Sequence, residues 1–344
     1  MGGSQRIVPC DHFPGRPRSH IDLGTRPRAS AGGHALGSVT VGSPLDDFKE
    51  YTRARVGPEA DGWLRRIRAL QRELTKRWGL TLGDPFDGGV IGFSVAAERG
   101  TDAEPVVLKL SYPDGWFADE TRAIGEIQGD GMVRLLDHHP DGAQLLERAM
   151  PGGSLLATRQ EPEGNEIAAE VLQRLWRPAP PGFVTVKAEA TRWADSMPLR
   201  HVQQMSPFER PLLELAAETL RDLAGSQGEP VLLHGDFHQG NVLEAEREPW
   251  LAIDPKPLVG EREFDITALL RDRREEVLAD HDPHARLQRR FDQLCELFDC
   301  DRRRLREWSF AILVDYALWN FEANARTAGS DEIQLARLTR SLEL

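Results

Sequence analysis

The chain has 344 residues, 40% apolar and 28% charged, with a formal net charge of −12 and a pI near 5.4. That length exceeds one small core and suits two lobes; the acidity argues against nucleic acid as the main partner, since phosphate binding calls for a basic face, and suits a cationic ligand. No apolar run reaches membrane-spanning length and the N-terminus lacks the apolar core of a secretory signal, so no membrane partner is expected; Cys10, Cys295 and Cys300 form no CxxC pair and read as reduced cytoplasmic thiols.

Residues 1–44 are rich in Gly, Ser, Pro and Arg. Five arginines (Arg6, Arg16, Arg18, Arg26, Arg28) against Asp11 and Asp22 leave the segment at +3. It cannot bury enough apolar area to offset its ordering entropy and reads as a disordered tail. The compositional break before Pro44 points to translation starting near Val39 or Val41, which would make part of the tail non-native. From 58 to 78 the pattern is helical, with Trp63, Ile67, Leu70 and Leu74 on one face, Pro58 in the first turn and Gly79 at the end. Residues 80–111 read as three short strands. Gly88 and Gly89 lie in the turn between the first two, where glycine lets backbone amides approach a phosphate. The third strand, Val106 to Leu110, contains Lys109, a costly placement unless the charge has a partner. A helix over 116–127 follows. Strands at 132–136 and 143–150 are joined by His139-Pro140-Asp141-Gly142. Pro151, Gly152 and Gly153 suit a hinge.

Beyond the hinge the chain turns helical, at 166–175, 186–195 and 207–224. Residues 231–256 then combine apolar strands with polar tips. Val231-Leu232-Leu233 leads into His234-Gly235-Asp236. Asn241 comes five residues after that aspartate, and Trp250 to Ile253 delivers Asp254. The carboxylates and the amide are expected together at the ends of adjacent short strands. Phosphoryl transfer needs positioning and charge neutralisation more than covalent chemistry; an aspartate can accept the hydroxyl proton, while an amide and a second carboxylate, both hard oxygen donors, can hold magnesium. Further on, Asp265 is a reasonable N-cap for a helix opening at Phe264, and 271–276 alternates in sign like a solvated face. Helices at 286–298 and 305–324 end the pattern. In the last, Trp308, Ile312, Tyr316 and Trp319 read as a core stripe, with Asp315, Trp319, Asn320 and Glu322 as an alternative acceptor-pocket lining.

The spacing His-x-Asp-x4-Asn followed by an aspartate resembles the protein-kinase catalytic loop and metal aspartate. HGDFHQGN with IDPK is similar to the aminoglycoside phosphotransferase family, and EPWLAIDPKPLVGEREFDITALLRD to its streptomycin 6-kinase and hydroxyurea phosphotransferase branch, over roughly 45–330. The resemblance implies an α+β, two-lobed, protein-kinase-like fold. A small antiparallel-sheet N-lobe would span 45–147, and a mostly helical C-lobe with the acceptor pocket 148–344. It implies an ATP- and Mg2+-dependent phosphotransferase acting on a small-molecule hydroxyl, aminoglycoside-like or hydroxyurea-like. Asp236 would be the catalytic base, with Asn241 and Asp254 as metal ligands. Lys109 would bind the α/β-phosphates with Glu120 behind it (Glu126 second), near Gly88 and Gly89. Main-chain groups around Glu147 and Ala149 would meet the adenine, His234 would support the loop, and Asp265 would brace it. Lys256 would either add positive charge near the γ-phosphate or stand on the surface. Gly235 replaces the protein-kinase arginine, and Asp254 lies only eleven residues before Asp265; both features favour a metabolite or antibiotic over a protein acceptor. A non-catalytic nucleotide-binding module is the competing class, opposed by the presence of Lys109, Asp236, Asn241 and Asp254 together.

Overall fold

The computed structural model describes residues 43–86, 92–323 and 329–344. The expected tail, except its last two residues, and Gly88 and Gly89 lie outside the described residues.

The first element was not expected from the sequence. Helix α1 (Pro44–Val56) begins with proline in its first turn, beside Asp46 and Asp47, and carries Arg53 and Arg55 in its last, an arrangement that suits the helix dipole. Its Leu45 and Phe48 are buried. After Gly57, helix α2 (Ala60–Arg77) packs Trp63, Ile67, Leu70 and Leu74 inward. Strands β1 (Leu80–Pro85), β2 (Gly92–Arg99) and β3 (Glu104–Ser111) follow. Then come helix α3 (Gly115–Ile127), capped by the Asp114 carboxylate, and strands β4 (Leu135–His139) and β5 (Ala143–Glu147). The five strands form one antiparallel sheet in the order β1-β2-β3-β5-β4. Its inner face (Phe93, Val95, Val106, Leu108, Leu110, Leu145) packs on α1 and α2 as one apolar cluster. Fully burying each such side chain contributes about 1.5–3 kcal/mol.

The rest is mainly helical. Helices α4 (Leu155–Thr158) and α5 (Glu163–Leu175) precede the two-residue strand β6 (Arg177–Pro178). Helix α6 (Val186–Gln204) runs nine residues beyond its expected end and through Pro198. Proline cannot donate to the Ala194 carbonyl; Arg221 from α7 (Arg210–Gly225) donates to it instead, at 3.2 Å. The central stretch gives β7 (Val231–Leu233), a 3-10 turn at Gln239–Asn241, β8 (Val242–Glu244), β9 (Trp250–Ala252) and β10 (Leu258–Gly260). Helices α8 (Arg262–Arg271), α9 (Arg274–Leu278), α10 (Pro283–Phe298), α11 (Arg302–Ala323) and α12 (Ser330–Arg340) complete the chain, the last unexpected from the sequence. A second, larger apolar cluster joins these helices and includes Ile124, Ile127 and Met132 at the junction with the sheet.

Three readings need correction. Residues 132–134 are not strand: Met132 bridges Ala252, and Val133 N donates to Ala252 O at 3.1 Å, tying the sheet lobe to β9. Strand β7 does not neighbour β8 and β9 in one sheet but lies between β10 and β6. The charged run 271–276 is not a solvated face throughout, because Arg271 and Asp272 are buried. Alternating sign reports only composition, and here tertiary partners take the charges: the Asp272 carboxylate accepts from Gln239 N at 2.8 Å, and Arg271 lies 4.9 Å from the Tyr316 ring centroid.

Candidate active site

Strand β7 delivers His234-Gly235-Asp236 into a tight reversal. Gly235 has φ +77, and a Cβ there would lie 1.9 Å from the Lys256 carbonyl oxygen, so no other residue fits. The Lys256 N–H donates to His234 O at 2.7 Å. Residues 234–236 and 254–256 are thus locked together by their main chains. The buried Asp265 carboxylate accepts from His234 N (2.8 Å) and Gly235 N (2.7 Å), with Trp176 Nε1 at 3.2 Å. Asp265 is therefore the brace the resemblance implied. It is not an N-cap: α8 starts at Arg262, and Asp265 reaches across to the loop from inside the first turn. Burial pushes its carboxyl up to about 6 against those donors.

His234 is 2% exposed. Its Nε2 donates to Ile253 O at 2.9 Å, leaving Nδ1 to accept from Asp236 N at 3.3 Å. Burial lowers its pKa to about 4, so the ring is neutral and structural. Asp236 is also 2% exposed. Its Oδ2 accepts from Lys256 Nζ at 2.7 Å, while its buried Oδ1 has no hydrogen-bond partner among the described residues. Burial raises the Asp236 pKa, opposed first by Lys256.

The 3-10 turn presents Asn241, whose Nδ2 donates to Asp236 O at 3.0 Å. Ile253 N donates to Asn241 O at 2.9 Å, which sets the β9 end beside the loop. Asp254 then adopts φ +56, an uncommon conformation for a non-glycine residue and one that clusters at functional sites. Its Oδ1 accepts from Lys109 Nζ at 2.8 Å, and Glu120 Oε1 accepts from the same ammonium at 2.5 Å. Burial alone would depress the Lys109 pKa, but Asp254 and Glu120 outweigh it and the net shift is upward. Burial raises Glu120 against the pull of Lys109. For Asp254 the ion pair prevails over burial, and the shift is downward. Gly92 clears the path for the lysine, since a Cβ there would meet Lys109 Cε at 2.7 Å.

The structure thus brings Lys109, Glu120, Asp236, Asn241 and Asp254 to one place, between the sheet lobe and the helical lobe. Asn241 is held through Nδ2 and Asp254 through Oδ1, so the amide oxygen and the second carboxylate oxygen are the donors they can offer a cation. No group of three His, Cys, Asp or Glu side chains among the described residues could hold a metal unaided. That donor set fits magnesium, which is usually held by one or two protein oxygens together with substrate phosphates.

Glu147 and Ala149 lie at the lobe connector, but the Glu147 carboxylate is committed elsewhere. It accepts from Arg247 Nε at 2.7 Å, Arg247 Nη2 at 3.0 Å and Arg134 N at 2.9 Å. Of the alternative pocket residues, Asp315 pairs with the buried Arg200 at 2.5 Å, Asn320 donates to Glu332 at 2.9 Å, and Trp319 stacks on Tyr316 at 5.4 Å. The Glu322 side chain lies outside the described residues. Sequence reasoning missed the contact of Lys256 with Asp236. The only signal was its place two residues after Asp254, between Pro255 and Pro257.

Comparison with known proteins agrees with this geometry. Residues 90–324 match the family model described as aminoglycoside/hydroxyurea antibiotic resistance kinase. The chain is 35% identical to streptomycin 6-kinase of Streptomyces glaucescens, covering 88% of this chain and 97% of that one. It is 34% identical to hydroxyurea phosphotransferase of Kitasatospora aureofaciens, covering 77% and 76%. Among solved structures, a choline/ethanolamine kinase family protein from Mesorhizobium loti shares the fold, with TM-score 0.55, 14% identity and coverage of 86% and 95%. A five-stranded antiparallel sheet over a mostly helical lobe, closed around this cluster of lysine, carboxylates and amide, is the protein-kinase-like fold, and the chain belongs to the aminoglycoside/hydroxyurea antibiotic resistance kinases.

Proposed function

We propose that the protein transfers the γ-phosphoryl group of ATP to a hydroxyl of streptomycin or a close aminoglycoside, in the cytoplasm, where ATP is supplied. The observation that carries the chemistry is Asp236: a buried carboxylate with one oxygen held by Lys256 and the other without a partner among the described residues. A buried acceptor left unpaired costs about 1–3 kcal/mol, and an acceptor hydroxyl donating to Oδ1 relieves it. Asp236 takes the hydroxyl proton as the acceptor oxygen bonds to the γ-phosphorus and the bond from that phosphorus to the bridging oxygen of ADP breaks. Lys109 binds the α/β-phosphates, its orientation fixed by Glu120. Asn241 and Asp254 would hold magnesium, which would supply positive charge to offset that of the nucleotide phosphates. Main-chain groups near Glu147 and Ala149 receive the adenine.

The aminoglycoside reading is favoured over hydroxyurea by extent of similarity. The chain spans 97% of the streptomycin 6-kinase but 76% of the hydroxyurea phosphotransferase. A net charge of −12 also suits a guanidinium-bearing acceptor. ADP release from ATP and magnesium across streptomycin, other aminoglycosides and hydroxyurea tests it. Turnover with streptomycin is expected; turnover with hydroxyurea alone would contradict the acceptor assignment.

A further inference from the structure

Lys256 sits two residues past Asp254, between Pro255 and Pro257. Its main chain is held on both sides of the catalytic turn: its N–H donates to His234 O at 2.7 Å, and its carbonyl oxygen is the atom that a side chain at position 235 would strike. Proline on each side fixes φ at two of three consecutive residues, so the side chain leaves from a rigid base. Its Nζ reaches Asp236 Oδ2 at 2.7 Å, with the lysine side chain 18% exposed and the aspartate 2%.

The charge distribution gives this contact a purpose. Three carboxylates (Glu120, Asp254, Asp236) share the cleft with Lys109 and Lys256. Lys109 is committed to Glu120 and Asp254, which leaves Lys256 to hold Asp236. Without it a nearly dehydrated carboxylate would stand beside other anions, and breaking such a pair from one side is strongly unfavourable. The carboxylate would turn toward other donors, and Oδ1 would leave its present direction. A displacement of about 1 Å at a reacting group can cost on the order of 10²-fold in rate.

Resting on the reading of Asp236 as the base, we infer that Lys256 is a positioning residue for the transfer: by gripping Oδ2 it aims Oδ1 of Asp236 at the incoming hydroxyl. The tether is two-sided, since the same residue fixes the main chain of the turn and the carboxylate at its tip. This role differs from binding nucleotide, which falls to Lys109.

The test is steady-state kinetics of Lys256→Met and Lys256→Arg, beside Mg-ATP affinity by calorimetry and thermal unfolding of each protein. Lys256→Met is expected to lower kcat about 10²-fold while the dissociation constant for Mg-ATP stays within about twofold. Lys256→Arg, which keeps the charge, should recover most of the loss. In the Asp236→Asn background, Lys256→Met should lower kcat no further, because a residue acting only through Asp236 has nothing left to position. An unchanged kcat in Lys256→Met would overturn the inference. So would a loss confined to Mg-ATP affinity, which would make Lys256 a nucleotide ligand. Should Lys256→Met not fold, Lys256→Gln, which keeps a donor without the charge, answers the same question. If the wild-type enzyme is inert toward streptomycin, the acceptor assignment fails separately. The Lys256 series is then read on the hydrolysis of Mg-ATP by water, where the same pattern is expected.

Discussion

At the scale of single residues, the site depends on one crowded crossing, where His234, Gly235 and Asp236 lie against Asp254, Pro255 and Lys256. Gly235→Ala should be among the most damaging small substitutions in the protein. It forces a Cβ to 1.9 Å from a carbonyl oxygen at φ +77. A loss of about 3 kcal/mol or more, with activity abolished, is expected in urea denaturation and kinetic assays. His234 gives a prediction in pH. Its folded pKa of about 4 lies below the ordinary 6.5. Between these values the unfolded chain takes up a proton that the folded one does not, so stability is lost as pH falls through that window. Asp265, raised to about 6, acts in the opposite sense and gains stability as pH falls below that value. Subtracting the pH dependence of a His234→Asn variant isolates the histidine: the wild type should lose more stability than the variant between pH 6.5 and 4. Equal slopes would contradict a neutral buried ring. Lys109, Glu120, Asp236, Asn241 and Asp254 were legible in the sequence because phosphoryl transfer constrains residue type and local spacing together. Lys256 as the holder of Asp236 was not, because that contact arises only when residues twenty apart are folded back on each other.

At the scale of elements, the hairpin of β8 and β9 links the two lobes. Ala252 N donates to Gly131 O at 2.8 Å, and Glu244 N to Gly153 O at 2.8 Å. From the hairpin turn Arg247 reaches Glu147, the Gly129 carbonyl at 2.7 Å and the Met132 carbonyl at 2.8 Å. Truncation of Arg247 removes a donor from two carbonyls and leaves the Glu147 carboxylate, only 19% exposed, with the Arg134 N–H. Arg247→Ala should therefore cost about 1–3 kcal/mol in chemical denaturation. Arg174→Ala, which removes a guanidinium 45% exposed, should cost under about 1 kcal/mol. Equal costs would mean that Arg247 is no clasp. The elements misread from sequence share a cause. Met132 and Val133 are apolar but are drawn out of the sheet to pair with Ala252 of β9, and Arg271 and Asp272 open a charged run yet are buried. Helix α6 passes through a proline because Arg221 from a neighbouring helix supplies the missing donor. In each case a tertiary partner overrode a correct local pattern.

At the scale of the molecule, one apolar cluster underlies the sheet and a larger one joins the helices, α3 included, and the site lies where they meet, with Lys109 from β3, Glu120 from α3 and Asp236, Asn241 and Asp254 from the stretch 231–256. The kinase-like architecture was legible because short strands, a buried lysine and the 231–256 stretch occur in the required order. The acceptor side was not: Asp315, which the sequence offers as a pocket residue, is paired internally with the buried Arg200. Asp254→Ala should abolish magnesium-dependent ATP affinity in calorimetry, and unchanged affinity would move the metal role elsewhere. The most direct test of the account is phosphorus NMR of streptomycin incubated with Mg-ATP and either wild-type protein or Asp236→Asn. A new phosphomonoester signal on streptomycin with the wild type, reduced in rate by about 10²–10⁴ in the variant, is the predicted result. A signal formed equally fast by Asp236→Asn would contradict the assignment of the base.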